Sequence, residues 1–106
     1  MTSEKAIEDS VCSWLEMQGF ICLKVGWDGW PDRCVILGSN KHKWVEFKTE
    51  KGHLRPQQIN RIAKLHEIGE TVLVITSLEE AKEMFGGLAI PSSLQLASRV
   101  PTERNR

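Results

Sequence analysis

The spacing of apolar positions divides the chain into helical and extended segments. Apolar residues recur at helical spacing from Ile7 to Leu15, so they form one face of a predicted first helix. Ser3 is a favourable N-cap for its start, and Gly19 suits a left-handed C-cap at its end. The first element is therefore predicted to be an amphipathic helix.

Three extended segments follow this helix. Residues 20–25 and 33–37 are short apolar runs, the second of them predicted to be largely buried, and residues 43–48 alternate between apolar and polar side chains. A loop rich in Gly and Pro over residues 26–32 and a turn over residues 38–40 separate them. These short connections favour antiparallel pairing among the three strands.

The pattern then returns to helix, strand and helix. Pro56 suits the first turn of a second helix, which is predicted to end at Gly69. Residues 71–75 form a buried strand, and Ser77 with Glu80 forms a capping box that opens a third helix. The order αβββαβ followed by a short helix predicts an α/β fold with a mixed sheet flanked by helices.

Composition limits the class of protein. Of 106 residues, 41% are hydrophobic and 26% are charged, which is typical of a globular domain. We expect one domain over residues 1–86 and an irregular or flexible tail over residues 87–106. The three cysteines include no C-x-x-C pair, and neither a signal peptide nor a membrane span is visible, so we expect a cytoplasmic protein.

The formal net charge is zero, so any binding to nucleic acid must come from local charge. One basic cluster of this kind is present, and its members are Lys41, Lys43, Lys48, Lys51 and Arg55.

The third strand carries the first candidate chemistry. Alternation places Val45 and Phe47 on one face of the sheet and Glu46 and Lys48 on the other. A solvent-facing ion pair would explain this strand by itself. A hairpin between the second and third strands, however, would bring Asp32 close to Glu46 and Lys48. Two carboxylates beside one ammonium group suit a hard cation such as Mg²⁺.

These residues also carry a resemblance. Pro31-Asp32 followed by Glu46-Phe47-Lys48 resembles the signature of PD-(D/E)xK nucleases, and more narrowly the chain resembles the VRR-NUC family, especially its small stand-alone forms from phages and prophages. The resemblance covers residues 3–85. Its supporting segments are the opening helix up to Gly19-Phe20, then Gly29-Trp30-Pro31-Asp32-Arg33, Glu46-Phe47-Lys48-Thr49, and Gly52-His53-Leu54-Arg55-Pro56-Gln57-Gln58.

The resemblance implies a metal-dependent nuclease site. Asp32, Glu46 and the main-chain carbonyl of Phe47 would hold Mg²⁺ or Mn²⁺, and Lys48 would orient or help to deprotonate the attacking water. No organic cofactor is implied.

The resemblance also implies an acid from the first helix and a supporting amide. Glu8 is the expected acid, a further metal ligand, and Glu4 is its rival. Gln58 would support Lys48 or the phosphate, and Gln57 is the neighbouring alternative. Asp28 is the alternative to Asp32, but it lacks the preceding proline.

The resemblance implies DNA as the substrate, with branched DNA and four-way (Holliday) junctions as its expected form and a homodimer as the cutting unit. The expected phosphate contacts are Lys24, Arg33, Lys51 and Arg55, while Trp27, Trp30 and Trp44 stack on splayed bases, pack in the core or pack a dimer contact. Three alternatives remain open: a flap- or restriction-like nuclease with the same site, a non-catalytic DNA-binding module, and an interaction module with accidental ion pairs.

Overall fold

The computed structural model describes residues 2–86, and within that range the chain forms three helices and four strands. Their bounds are α1 Glu4–Met17, β1 Ile21–Lys24, β2 Arg33–Gly38, β3 Lys41–Phe47, α2 Pro56–Glu67, β4 Val72–Ile75 and α3 Leu78–Phe85. The predicted order of elements is confirmed. The tail expected over residues 87–106 lies outside the described residues.

The four strands form one mixed sheet in the order β1-β2-β3-β4. The pairs β1–β2 and β2–β3 are antiparallel, as the short connections predicted, and β4 runs parallel to β3. Ser39 and Asn40, with φ of 54° and 62°, make the turn between β2 and β3, which suits the right-handed twist of a hairpin. The parallel pair needs a crossover connection, and α2 supplies it.

Side-chain caps begin two of the helices. Ser3 Oγ accepts a hydrogen bond from the Ala6 amide at 3.1 Å, and Ser77 Oγ accepts one from the Glu80 amide at 3.0 Å. The Glu80 carboxylate accepts from the Thr76 amide at 2.7 Å, one residue before the N-cap. Both predicted N-caps, Ser3 and Ser77, are therefore formed. In the capping box of α3, the Glu80 side chain bonds to the amide of Thr76 instead of the amide of the N-cap Ser77.

One face of the sheet, which we call the closed face, is covered by α1 and α3. The sheet contributes Val35, Val45, Phe47 and Ile75 to this core, and each is at most 1% exposed. The helices and the connection after α1 contribute Ile7, Val11, Leu15, Phe20 and Phe85. Burial of these side chains is the main source of the stability of the fold.

The other face of the sheet is only partly covered. The helix α2 lies against β4 and buries Leu65. Over β1 and β2, Ile21 and Leu23 remain 59% and 53% exposed, and Ile36 is 38% exposed. The expectation that residues 33–37 are largely buried is therefore correct for Val35 on the closed face and for Cys34 on the other face, whereas Ile36 is exposed.

The three cysteines, Cys12, Cys22 and Cys34, are buried free thiols. Within residues 2–86, no helix has the length and apolar character needed to cross a membrane.

Candidate active site

The two signature carboxylates meet where β2 begins and β3 ends. Arg33 is paired with Val45 in the antiparallel ladder, so Asp32 lies beside Glu46 at the end of the hairpin. Asp32 Oδ2 accepts a hydrogen bond from the Phe47 amide at 2.8 Å. The carbonyl of Asp32 accepts another from the Val25 amide at 2.9 Å. Main-chain donors on both neighbouring segments therefore fix Asp32 in place.

Glu46 is 2% exposed and has two polar partners on one oxygen. Its Oε2 lies 3.6 Å from Lys48 Nζ and accepts a hydrogen bond from Gln58 Nε2 at 2.8 Å. Gln58 is itself buried, and its Oε1 accepts from the Arg55 amide at 2.8 Å. Because a main-chain amide can only donate, this bond turns the NH₂ of Gln58 towards Glu46.

The two carboxylates disfavour each other's ionised form. Burial is the main cause that raises the pKa of Glu46 to about 7, the charge of Asp32 adds to it, and Lys48 opposes it. Burial also raises the pKa of Asp32, against the effect of the Phe47 amide. When both are ionised, negative charge therefore exceeds what Lys48 offsets, and such an environment favours a bound cation.

The donors at this position fit a hard cation. Among residues 2–86 there is no group of three or more His, Cys, Asp or Glu side chains placed to bind a metal, so a closed zinc site does not fit. Asp32 and Glu46 offer carboxylate oxygens, and the carbonyl of Phe47 lies in the chain between Glu46 and Lys48. Few protein oxygens, with water completing the shell, are what Mg²⁺ accepts.

The two candidate acids of α1, Glu8 and Glu4, differ in their surroundings. Glu8 is 9% exposed, and its Oε2 accepts from Arg33 Nε at 2.7 Å and lies 3.8 Å from Lys24 Nζ. The charges of Glu8 and Glu4 both raise the pKa of Asp32, and that of Glu4 also raises the pKa of Glu46. Glu8 therefore ties α1 to the sheet, while Glu4 is an exposed acid whose charge acts on both carboxylates.

Arg33 differs from the expectation of a phosphate contact. Its side chain is 16% exposed, its Nε donates to Glu8, and its Nη1 donates to the carbonyl of Cys22 at 3.1 Å. Alternation along β2 places Arg33 on the same face as the buried Val35, and this signal in the sequence already indicated an inward side chain.

The other expected phosphate contacts lie at the surface. Lys24 and Lys51 are exposed, and Arg55 Nη2 pairs with Asp28 Oδ1 at 3.2 Å on the exterior. Asp28 is thus an exposed partner of Arg55.

Gln57 packs on the loop before Asp32 instead of entering the site. A Cβ placed on Gly29, which has φ of +83°, would meet the Gln57 side chain at 2.8 Å. Gly29 therefore permits both the turn and the close approach of α2 to the loop that carries Asp32.

Trp30 and Trp44 lie near the two carboxylates, on the same side of the sheet as α2. The rings of Trp30 and Trp44 are 5.6 Å apart, and Arg61 lies 4.5 Å over Trp30. Trp44 Nε1 donates to Glu70 Oε1 at 2.7 Å, and His42 Nε2 lies 2.6 Å from the same oxygen. These contacts join residues 26 and 28 positions apart in the chain, so no local pattern revealed them.

A chain of known structure described as "VRR_NUC domain" has a closely similar arrangement, with a TM-score of 0.73, 23% sequence identity, and coverage of 81% of this chain and 97% of that chain. The chain has the VRR_NUC fold. The predicted fold is thereby confirmed. No family model matches the sequence, and no curated protein matches it. At this identity the similarity concerns the fold, so the roles of the site residues are argued from the geometry above.

Proposed function

We propose that this VRR_NUC-fold protein is a metal-dependent DNA endonuclease that hydrolyses phosphodiester bonds. One observation carries the proposal: Asp32 and Glu46, both with raised pKa, meet beside Lys48 at the end of one hairpin. Burial of two adjacent carboxylates is unfavourable for folding, and a cation that binds between them would offset this cost.

The resident cation would be Mg²⁺ or Mn²⁺, held by Asp32, Glu46 and the carbonyl of Phe47. When bound, it would lower the pKa of a coordinated water and offset charge on the phosphate. The role expected for Glu8 as a further ligand competes with its bond to Arg33, and Glu4 is the alternative acid from α1.

The ammonium group of Lys48 would hold the attacking water or a phosphate oxygen. Its side chain is 11% exposed and lies against Glu46, so it is aimed before substrate arrives. Gln58 is a positioning residue: it donates to Glu46 Oε2 and is itself held by the Arg55 amide. It would keep the carboxylate in the orientation that binds the cation.

DNA would be held by local charge, with Lys24, Lys51 and Arg55 as exposed phosphate contacts. One such site cuts one strand. Paired symmetric cuts in a four-way junction need two sites in fixed relation, which a two-fold symmetric homodimer supplies. Branched DNA, with the four-way junction as its chief form, is therefore the proposed substrate.

The test is cleavage of labelled four-way junction, flap, duplex and single-stranded DNA with Mg²⁺ or Mn²⁺. We expect paired nicks in the junction from the wild type, no cutting in EDTA, and loss of cutting in Asp32→Asn and Lys48→Ala. The matched control, Asp28→Asn, should cut like the wild type because the contact of Asp28 within residues 2–86 is an exposed ion pair with Arg55.

The other outcomes separate the alternatives. Cutting confined to flaps or duplex would replace the junction as substrate while retaining the site. Cutting that survives both Asp32→Asn and Lys48→Ala would contradict the site itself. Junction binding without cutting of any substrate would favour a non-catalytic DNA-binding protein.

A further inference from the structure

A groove lined mainly by aromatic and aliphatic side chains lies on the side of the sheet opposite the closed face. Its volume is about 630 Å³, within the range of about 300–1,000 Å³ that is typical of sites for small ligands. We call it the aromatic groove, and its lining includes Leu23, Trp27, Trp30, Trp44, Leu65 and Ile68. Leu23, Cys34 and Trp44 are paired across β1, β2 and β3, so this row of the sheet forms part of its floor.

The aromatic groove lies next to the two carboxylates of the candidate active site. Trp44 and Glu46 are on the same side of β3, and two residues of a strand span about 7 Å. Trp30 precedes Asp32 by two positions in the loop that enters β2. A DNA strand with a phosphate at Asp32 and Glu46 would therefore carry the neighbouring base to this groove.

Trp27 is held at the groove with most of its ring in water. Its side chain is 70% exposed, and its carbonyl accepts a hydrogen bond from the Trp30 amide at 3.2 Å, which closes the turn between them. The rings of Trp27 and Trp30 meet edge to face, with centroids 5.7 Å apart. An exposed aromatic ring in an ordered turn offers the flat surface on which an unpaired base stacks.

The cations at the groove suit a nucleotide. Lys24 lines the groove, and its side chain is 67% exposed. Its Nζ lies 3.8 Å from Glu8, which is too long for a hydrogen bond, so it remains able to contact a phosphate. Arg61 lies 4.5 Å over the ring of Trp30 and has no carboxylate partner among residues 2–86. Aromatic rings interleaved with cations are typical of surfaces that bind single-stranded nucleic acid, whereas an apolar protein partner would bury these charges at a cost.

Glu70 orders the groove and favours a base over a phosphate inside it. Its Oε1 accepts a hydrogen bond from Trp44 Nε1 at 2.7 Å and lies 2.6 Å from His42 Nε2, so the ring of Trp44 is fixed before a ligand binds. A preformed wall loses little side-chain freedom on binding. The carboxylate of Glu70, which also lines the groove, repels a phosphate but accepts a hydrogen bond from the amino group of a base such as cytosine.

We propose that the aromatic groove binds an unpaired base of the DNA substrate, stacked on Trp27, beside the phosphate that is cut. The inference rests on the proposed function and specifies its substrate as a branch with an unpaired nucleotide next to the cut. A base that is already unpaired enters such a groove at a lower cost than a base that must first leave its pair. The groove therefore selects branched DNA of this kind over fully paired DNA.

The test is binding of the full chain to two labelled branched DNAs in EDTA, which prevents cleavage. One DNA carries an unpaired cytosine nucleotide at the branch, and the other carries an abasic sugar-phosphate at the same position, so the backbone charge is equal. The wild type should bind the first DNA about 5–100-fold more tightly, the range expected from stacking of one base on an aromatic ring. Trp27→Ala should abolish this preference, and Trp27→Phe should retain most of it. The control Met17→Ala, at a 77% exposed position at the end of α1, should leave it unchanged.

Several results would overturn the inference. They are equal affinity of the wild type for the two DNAs, no binding of either DNA, and a preference that Trp27→Ala retains. Circular dichroism should show that every variant folds, since Trp27 and Met17 are exposed. A wild type that shows no base preference but self-associates without DNA, in a way that Trp27→Ala abolishes, would make a second copy the occupant of the groove and would also overturn the inference.

The failure of the nuclease proposal is separate, because binding in EDTA needs no cleavage. A base preference in a protein that cuts no DNA with Mg²⁺ or Mn²⁺ would contradict the nuclease and support the groove. Cutting of both DNAs by a wild type with equal affinity for them would support the nuclease and contradict the groove.

Discussion

The two faces of β3 are equally buried but contribute to the protein in opposite ways. On the closed face Val45 and Phe47 are 0% and 1% exposed, and between them in the chain Glu46 is 2% exposed on the other face. Burial of an apolar side chain stabilises the fold by about 1.5–3 kcal/mol. Burial of Glu46 beside Asp32 instead raises its pKa to about 7, which costs stability wherever the group is ionised. Alternation along one strand thus separates the residues that hold the fold from those that do chemistry.

The largest expected effects come from Glu46→Gln and Ile75→Ala, one substitution on each face of the sheet. Glu46→Gln should lower cleavage by at least about 1,000-fold, because a carboxylate at the reacting centre is lost, with little loss of stability. Ile75→Ala, at a fully buried position of the closed face, should cost about 2–5 kcal/mol of unfolding free energy. Urea unfolding and single-turnover cleavage measure the pair, and the separation of the faces fails if Glu46→Gln unfolds the protein or Ile75→Ala leaves its stability unchanged.

The second effect is a pH dependence of the unfolding free energy, which only the face that carries Glu46 should produce. The pKa of Glu46 is raised from 4.5 to about 7 in the folded chain, so the folded state binds the extra proton between these values. Metal-free protein should therefore lose on the order of 2 kcal/mol of stability as pH rises through this window. Urea unfolding in EDTA at pH 5 and pH 8 measures the loss, which Glu46→Gln should reduce. Equal pH dependence in both proteins would show that Glu46 ionises normally.

Gln58 bonds to Glu46 while its neighbour Gln57 packs on Gly29, so variants at these two positions test whether the site needs a positioning residue. Gln58→Ala should lower cleavage by about 10–100-fold, because Glu46 loses the donor that orients it. Gln57→Ala removes an exposed side chain that packs on Gly29, so cleavage should stay within about two-fold of the wild type. The positioning role would be wrong if both variants, or neither, lost activity at saturating Mn²⁺.

The smallest expected effect distinguishes the two candidate acids of α1, Glu8 and Glu4. Glu8→Gln weakens the largely buried ion pair with Arg33 and should cost roughly 1–2 kcal/mol of stability. Glu4→Gln should leave stability unchanged and lower cleavage if Glu4 is the acid that acts at the site. Thermal unfolding and cleavage of both variants decide between them: cleavage lost in Glu8→Gln at unchanged stability would instead support the expectation for Glu8.

Local periodicity accounts for what could be predicted from the sequence. The alternation around Glu46 and Lys48, and the short hairpin that brings Asp32 to them, are properties of neighbouring residues and a single turn. The bond from Arg33 to Glu8 spans 25 positions and that from Trp44 to Glu70 spans 26, so each depends on how separate elements pack. The exposure of Ile21, Leu23 and Ile36 was missed for the same reason: an apolar run indicates a strand, but not which of its faces a helix will cover.

The most direct test of the account is whether the carboxylate pair binds a divalent cation in the folded protein. Thermal unfolding of the wild type, Asp32→Asn and Asp28→Asn is followed as Mn²⁺ is added in the absence of DNA. A ligand at about 100 times its dissociation constant adds about 2.7 kcal/mol to the stability of the folded state. The account predicts a melting temperature that rises by about 5 °C or more in the wild type and Asp28→Asn but not in Asp32→Asn. An unchanged melting temperature in the wild type, or an equal rise in Asp32→Asn, would contradict it.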